Sequence, residues 1–192
     1  MTNTSVQLRM TVYSALMAAL IAAGAFVSIP IGPVPIVLQN MFVLIAAVLL
    51  GRNWGFACVA IYLLSGAIGL PVFASGKGGF AHFAGPTGGY LLSYMIVAVQ
   101  AGWMADIFKK KLADKPLGLM ISDFITMLIG SAIIYAVGVP WLKTMAKLPW
   151  EKAFALGMFP FVPGDLLKIV AATLIVRIVR PLVDPDQETQ PV

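Results

Sequence analysis

The sequence has few charged residues, one cysteine and one histidine. Charged residues make up 11% of the 192 residues, whereas hydrophobic residues make up 60%. Soluble domains carry about 25% charged and about 45–50% apolar residues, so this composition argues against a soluble enzyme or a nucleic-acid-binding protein. It also argues against disorder, because disordered chains are poor in hydrophobic residues. The single cysteine, Cys58, cannot form an internal disulfide.

The residues also lack the patterns of catalytic, cofactor and metal sites. The single histidine, His82, cannot form a histidine-rich metal site, and a lone histidine in a loop is usually solvated. Gly76-Lys77-Gly78 is not a phosphate-binding loop, which needs Gly, four residues and then Gly-Lys-Ser/Thr after a strand. We therefore expect that the chain does not hydrolyse ATP itself.

Long uncharged stretches are present instead. Residues 10–51, 53–76, 78–105 and 124–142 contain no Asp, Glu, Lys or Arg. A helix of about 20 apolar residues crosses the hydrocarbon core of a bilayer. We therefore predict an all-α, polytopic membrane protein, with six transmembrane helices in one bundle over residues 1–183 and a polar tail over 184–192. The predicted helices cover residues 8–28, 36–50, 54–68, 87–108, 117–139 and 163–180.

Basic residues predict the orientation of this bundle, because cytoplasmic loops carry an excess of lysine and arginine. Six spans place both termini on one side, together with Arg9, Arg52, Lys109, Lys110, Lys111, Lys115, Arg177 and Arg180. The other side holds Lys77, Lys143, Lys147 and Lys152. We expect both termini in the cytoplasm. The first helix also has features of a signal peptide, but its uncharged run is long and five spans follow, so we interpret it as uncleaved.

Three features are candidates for function. The loop 69–86 has glycines that permit close approach to a ligand, and its aromatic residues fit either a ligand or a membrane interface. Asp165 and Lys168 share one face at the start of the last helix. They form either a functional site within the membrane or a helix cap followed by a lysine that reaches the solvent. The alanines at 15, 19 and 23 form a stripe of small residues along one face of the first helix. Such a stripe lets another helix approach closely, either from a partner protein or from the same bundle.

Four segments occur together in the order that is typical of one family. They are Gly-Leu-Pro-Val-Phe-Ala at 69–74, Gly-Gly at 78–79, Gly-Pro-Thr-Gly-Gly-Tyr at 85–90 and Pro-Gly-Asp-Leu-Leu-Lys at 163–168. Over nearly the whole chain the sequence resembles BioY, the biotin-specific substrate-binding (S) component of energy-coupling factor (ECF) transporters. The resemblance implies a membrane-embedded biotin-binding subunit of a vitamin uptake transporter, with a biotin site near the extracellular face that two loops close.

The resemblance also implies partners and site residues. A transmembrane coupling (T) subunit docks on Ala15, Ala19 and Ala23, and two ABC-type ATPase subunits use the ATP, so this chain needs no cofactor. Some relatives carry a basic residue at the position of Leu91. Because leucine has no charge, Lys77 is the residue expected to contact the biotin carboxylate here. The expected substrate-binding residues are Asp165, Lys168, Lys77, Tyr90, Gln39, Asn40, Phe73, Phe80, Thr87 and Gly88.

Two other functions stay open at this point. The chain fits an S component for a different small vitamin, which shares fold and partners. It also fits, less well, an intramembrane enzyme that uses Asp123 and Asp165, although the predicted topology places these carboxylates near opposite membrane faces. We expect Asp123 to pair with a basic group near the cytoplasmic end, such as Lys115 or Arg52. The expected location is the cytoplasmic membrane of a bacterium or an archaeon.

Overall fold

The computed structural model describes residues 3–183, most of which are helical. The helices are α1 (Asn3–Phe26), α2 (Gln39–Ala67), α3 (Gly88–Lys111), α4 (Pro116–Met145), α5 (Trp150–Gly157) and α6 (Val162–Val183). Two short strands, β1 (Ser28–Ile29) and β2 (Ile36–Val37), pair antiparallel between α1 and α2. Two 3-10 turns, η1 (Ala74–Gly76) and η2 (Phe80–Ala84), lie between α2 and α3. The predicted all-α fold is confirmed, and the predicted tail at 184–192 lies outside the described residues.

The helices have the length and the surface of a membrane protein. Four of them, α1 to α4, are long and apolar enough to cross a bilayer. The outer face of α6 is also apolar, with Leu174 50% exposed and Ile178 72% exposed. Exposure of such an apolar surface to water would be unfavourable, whereas in a bilayer the surface contacts the lipid chains. The chain is therefore a multi-pass membrane protein.

Gly51 divides α2 into two arms, which are the predicted second and third helices. Its φ of 74° and ψ of −175° are not helical, and glycine adopts a positive φ without steric cost. The arms, 39–50 and 52–67, fold back on each other. Their close approach shows this, since a Cβ atom on Gly55 would lie 2.9 Å from the Cα of Ala47. In a straight helix, residues eight apart are separated by about 12 Å. The predicted turn at 51–53 therefore reverses the chain.

Two elements differ from the prediction between residues 139 and 158. α4 does not end at 139 but continues through Pro140 to Met145. Membrane helices tolerate proline because neighbouring groups can satisfy the freed backbone atoms. One turn beyond the proline, the Thr144 hydroxyl donates to the Pro140 carbonyl at 2.9 Å. The segment 150–157, for which no helix was predicted, forms the short helix α5. Its last carbonyl, at Gly157, accepts a hydrogen bond from the Tyr90 hydroxyl at 2.8 Å.

The bundle has two distinct ends, which we call the turn end and the loop end. The turn end holds residues 51–53, where the Arg52 backbone N–H donates to Asp106 at 3.0 Å. Asp123 lies towards the same end, and both of its oxygens accept hydrogen bonds from Arg180 at 2.8 Å. Asp123 therefore pairs with a basic group near this end, as expected, but the partner is Arg180 and neither of the two suggested residues, Lys115 and Arg52. The geometric reason is that α6 runs antiparallel to α4, which places a residue distant in sequence beside Asp123.

Candidate ligand-binding site

A cavity lies at the loop end, enclosed by α2, α3, α4, α6 and the two loops that precede α2 and α3. Its empty volume, including its mouth, is about 580 Å³. The lining residues are Val34, Pro35, Val37, Gln39, Asn40, Phe73, Ala74, His82, Thr87, Tyr90, Leu91, Tyr94, Ile134, Tyr135, Phe161, Asp165 and Lys168. Residues from both loops and from four helices thus converge on this cavity.

Asp165 is the centre of the polar wall of this cavity. One of its oxygens accepts hydrogen bonds from Asn40 and Lys168, each at 2.9 Å, and the other accepts from the Tyr135 hydroxyl. A carboxylate has about four acceptor positions, so three are in use and one is left for a donor on a ligand. The polar wall can therefore recognise an N–H or O–H group.

Lys168 holds this wall together rather than presenting free donors. Its ammonium group donates to the Asp165 carboxylate, to the Val37 carbonyl at 2.7 Å and to the Asn40 side-chain oxygen at 3.3 Å. An ammonium has three N–H donors, and these contacts use all three. The Lys168 and Asp165 side chains are only 12% and 8% exposed, so each charge needs the other. Lys168 thereby ties α6 to β2 and to the start of α2.

The local sequence explains why the ion pair lies here. Asp165 is in the first turn of α6, where the helix dipole stabilises a negative charge. Its backbone N–H donates to the Phe161 carbonyl at 2.8 Å. Lys168 follows three residues later, on the same face of the helix. A single helix start thus supplies both charges to the cavity.

The opposite wall of the cavity is aromatic, and Phe73 is its most buried member. Phe73 is 0% exposed, and its ring occupies the space that a side chain on Gly66 would need. The ring lies edge-on to Tyr62 at 5.7 Å and to Phe83 at 5.5 Å, and it is stacked with His82 at 5.5 Å. Such packing fixes the position of the Phe73 ring in the wall of the cavity.

His82 also lines the cavity, although we expected it to be solvated. Besides its stacking on Phe73, its Nε2 atom lies 3.4 Å from the Thr87 hydroxyl. Burial lowers the pKa of His82 below its usual 6.5, and the nearby charge of Lys77 lowers it further. The imidazole is therefore neutral at neutral pH, so it has one donor and one acceptor nitrogen.

The two loops over the cavity contact each other and the bundle. The Ser28 and Ser75 hydroxyls lie 3.1 Å apart, which joins the loop before α2 to the loop before α3. The second loop is also held by Trp141, whose indole N–H donates to the Gly85 carbonyl at 3.0 Å. Ser75 has a φ of 60° in a tight turn between Phe73 and Lys77, a strained conformation for a residue with a side chain.

Comparisons with known proteins identify the family. Residues 1–185 match the model of the BioY family. The chain belongs to the BioY family. It is 42% identical to the biotin transporter BioY of Thermotoga maritima, over 88% of this chain and 94% of that protein. It is 40% identical to the probable biotin transporter BioY of Pyrococcus horikoshii, over 84% of this chain and 90% of that protein.

A solved structure has the same fold as this BioY protein. It is the S-component for biotin from an ECF-type ABC transporter, and it superimposes with a TM-score of 0.80. The two chains are 36% identical, and the match covers 94% of each. The resemblance that the sequence motifs indicated is therefore confirmed, and so is the membrane-bundle fold.

The structure brings seven of the ten predicted substrate-binding residues to the cavity. They are Asp165, Lys168, Tyr90, Gln39, Asn40, Phe73 and Thr87. Lys77 is exposed in the covering loop, and Phe80 is 77% exposed beside it, so neither lines the cavity. Gly88 is buried against the Phe83 carbonyl and permits this close packing. The contacts of all ten residues with a ligand stay predictions.

Several lining residues were missed by the sequence reasoning. Tyr94 and Tyr135 lie within apolar helices, where an aromatic residue looks like part of the core. The available signal was the hydroxyl group, because a buried tyrosine O–H usually needs a partner. Tyr135 is 30 residues from Asp165, and only the packing of α4 on α6 brings them together.

The alanine stripe lies on the outside of the bundle. Ala15, Ala19 and Ala23 are all exposed on α1, whereas Ser14 and Ile21 face the interior. Packing within the bundle, which was one interpretation of the stripe, therefore does not explain it. The stripe gives α1 a smooth face towards the bilayer.

Proposed function

We propose that this BioY protein is the high-affinity biotin-binding S component of an ECF-type vitamin uptake transporter. The observation that carries the proposal is the cavity at the loop end, where a buried carboxylate and ammonium pair faces an aromatic wall. Relatives with about 40% identity are named biotin transporters, and the structural neighbour is an S-component for biotin. The geometry and the comparisons support the same ligand.

The chemistry of biotin matches the two walls. Its ureido ring has two N–H donors, and one of them fits the acceptor position that the Asp165 carboxylate has left. Because the three donors of Lys168 are occupied, its role is to balance the charge of Asp165 and to hold the carboxylate in place. The apolar thioether ring and the aliphatic chain lie against Phe73, Tyr90 and Tyr94. The carboxylate then points to the covering loops, towards Lys77.

The proposal assigns energy coupling to other chains. A T subunit docks on the exposed stripe of Ala15, Ala19 and Ala23, because small side chains let another helix approach closely. Two ABC-type ATPase subunits hydrolyse the ATP. This chain binds and releases biotin, catalyses no reaction and carries no cofactor.

The proposed location is the cytoplasmic membrane of a bacterium or archaeon, with both termini in the cytoplasm. The excess of basic residues at the turn end supports this orientation. The cavity at the loop end then faces the outside, where biotin is captured.

The alternatives are less well supported. An S component for another vitamin would share the fold, but the relatives named above are biotin transporters. An intramembrane enzyme would need Asp123 and Asp165 to act together. Asp123 is bound by Arg180 towards the turn end, whereas Asp165 lies at the loop end.

The test is to purify the protein from cells grown with biotin and to identify the bound small molecule by mass spectrometry. We expect biotin at about one molecule per chain. A different vitamin would show that the S-component role is right and the ligand wrong. Absence of any vitamin, together with no binding of added biotin, would contradict the proposal.

A further inference from the structure

Two cavities follow the seam between α4 and α6, away from the cavity at the loop end. The first lies at the turn end, measures about 550 Å³, and is lined in part by Met120, Asp123, Arg177 and Arg180. The second measures about 470 Å³ and lies further along the seam, against Met120, Phe124 and Leu174. Met120 lines both, so the two cavities meet at its side chain. Neither belongs to the proposed biotin site.

The first cavity carries one net positive charge among its described lining residues. Arg180 forms two hydrogen bonds of 2.8 Å with Asp123, so these two charges cancel. Arg177 is exposed, and its guanidinium donates to the Met120 sulfur at 3.6 Å. A thioether is a weak, uncharged acceptor, so this contact does not neutralise Arg177.

The second cavity is apolar and faces the bilayer. Its one polar lining residue, Thr173, donates its hydroxyl to the Ile169 carbonyl at 2.8 Å, so that group needs no water. Ile121 and Leu174, on the two sides of the cavity, are each 50% exposed. A hydrocarbon chain can therefore enter from the membrane and lie between the helices.

We propose that this seam binds an anionic phospholipid from the leaflet at the turn end. Its phosphate contacts Arg177, and one acyl chain lies in the apolar cavity beside Phe124 and Leu174. A guanidinium binds phosphate through paired hydrogen bonds, and one phosphodiester charge balances the one net positive charge of the first cavity. Basic pockets between transmembrane helices are known to hold anionic head groups. The adjoining apolar cavity distinguishes a lipid from a free anion.

Native mass spectrometry with defined lipids tests the proposal. The full-length protein is titrated in detergent with dioleoyl-phosphatidylglycerol or with dioleoyl-phosphatidylcholine, which have the same acyl chains. We expect phosphatidylglycerol to bind about fivefold more tightly, the factor that one arginine near an anionic lipid contributes. Arg177→Gln should remove this preference, and Arg177→Lys should keep most of it. Leu174→Trp, which fills the apolar cavity, should weaken binding of both lipids.

Lys110→Gln is the matched control, because it removes the same charge from an exposed residue at the same end of the bundle. We expect its lipid preference to equal that of the parent within about twofold, since Lys110 does not line the seam. Equal binding of the two lipids, or an unchanged preference in Arg177→Gln, would overturn the proposal. Displacement of the lipid by inorganic phosphate would show a site for soluble anions instead. Loss of T-subunit assembly in Arg177→Gln, with lipid binding unchanged, would show a protein contact instead.

Discussion

Removing one charge of the Asp165–Lys168 pair is the most informative perturbation of the proposed biotin site. Asp165→Asn leaves the buried Lys168 ammonium without its anion, and Lys168→Met leaves the carboxylate without its cation. Breaking a buried ion pair from one side costs about 3–5 kcal/mol. Part of this cost falls on stability. In Asp165→Asn the ligand additionally loses a hydrogen bond to a charged group, worth about 1.5–3 kcal/mol, so we expect its biotin affinity to fall about 10- to 150-fold. Lys168→Met keeps this carboxylate, so its affinity should fall less.

The assay is calorimetric titration with biotin, with thermal unfolding measured on the same samples. The double variant Asp165→Asn/Lys168→Met is the control, because it leaves no unpaired charge. We expect the double variant to regain stability relative to the single variants but to bind biotin weakly, since the neutral amide oxygen of asparagine is a weaker acceptor for the ureido N–H than the carboxylate. Single variants that fold and bind biotin within about threefold of the parent, a change of about 0.7 kcal/mol, would refute the role of the polar wall.

Four further predictions address the loops, the stripe and the turn. Biotin should slow hydrogen exchange in the loop 69–86, and equal exchange with and without biotin would count against a lid. Because burial lowers the pKa of His82, the closed loop favours the neutral imidazole; biotin affinity should therefore fall as the pH drops below about 6.5, and less so in His82→Gln. Ala19→Trp should prevent assembly with the T subunit but leave biotin binding intact, and retained assembly would contradict docking on the stripe. Gly51→Ala should lower the free energy of unfolding by about 1–3 kcal/mol, because a side chain there is strained and meets Asp106, whereas Gly164→Ala, with open space around it, should be neutral.

The topology was predictable because the strongest signals are local. Uncharged runs mark the spans, and the turn at Gly51 follows from the conformational freedom of glycine between two apolar arms. The extension of α4 through Pro140 was not predictable from the same rules. They describe helices in water, where proline ends a helix, whereas packing in a membrane bundle can satisfy the freed backbone groups.

The polar wall was predictable in part. Asp165 and Lys168 stand out because ionisable groups are rare in apolar helices. Tyr135 and His82 do not stand out, because their positions depend on contacts between distant segments. The same limit explains Asp123, whose partner Arg180 lies 57 residues away and is reached only through the antiparallel packing of α4 and α6.

Titration of biotin into the purified, ligand-free wild-type protein tests the central claim most directly. The chain alone, without T or ATPase subunits, should bind biotin at one site per chain, because every proposed contact comes from its own residues. Other vitamins, such as thiamine and riboflavin, should not compete, since neither has the compact cyclic urea with two N–H donors that we place at the carboxylate of Asp165. Failure of the folded protein to bind biotin, or tighter binding of another vitamin, would contradict the proposed function.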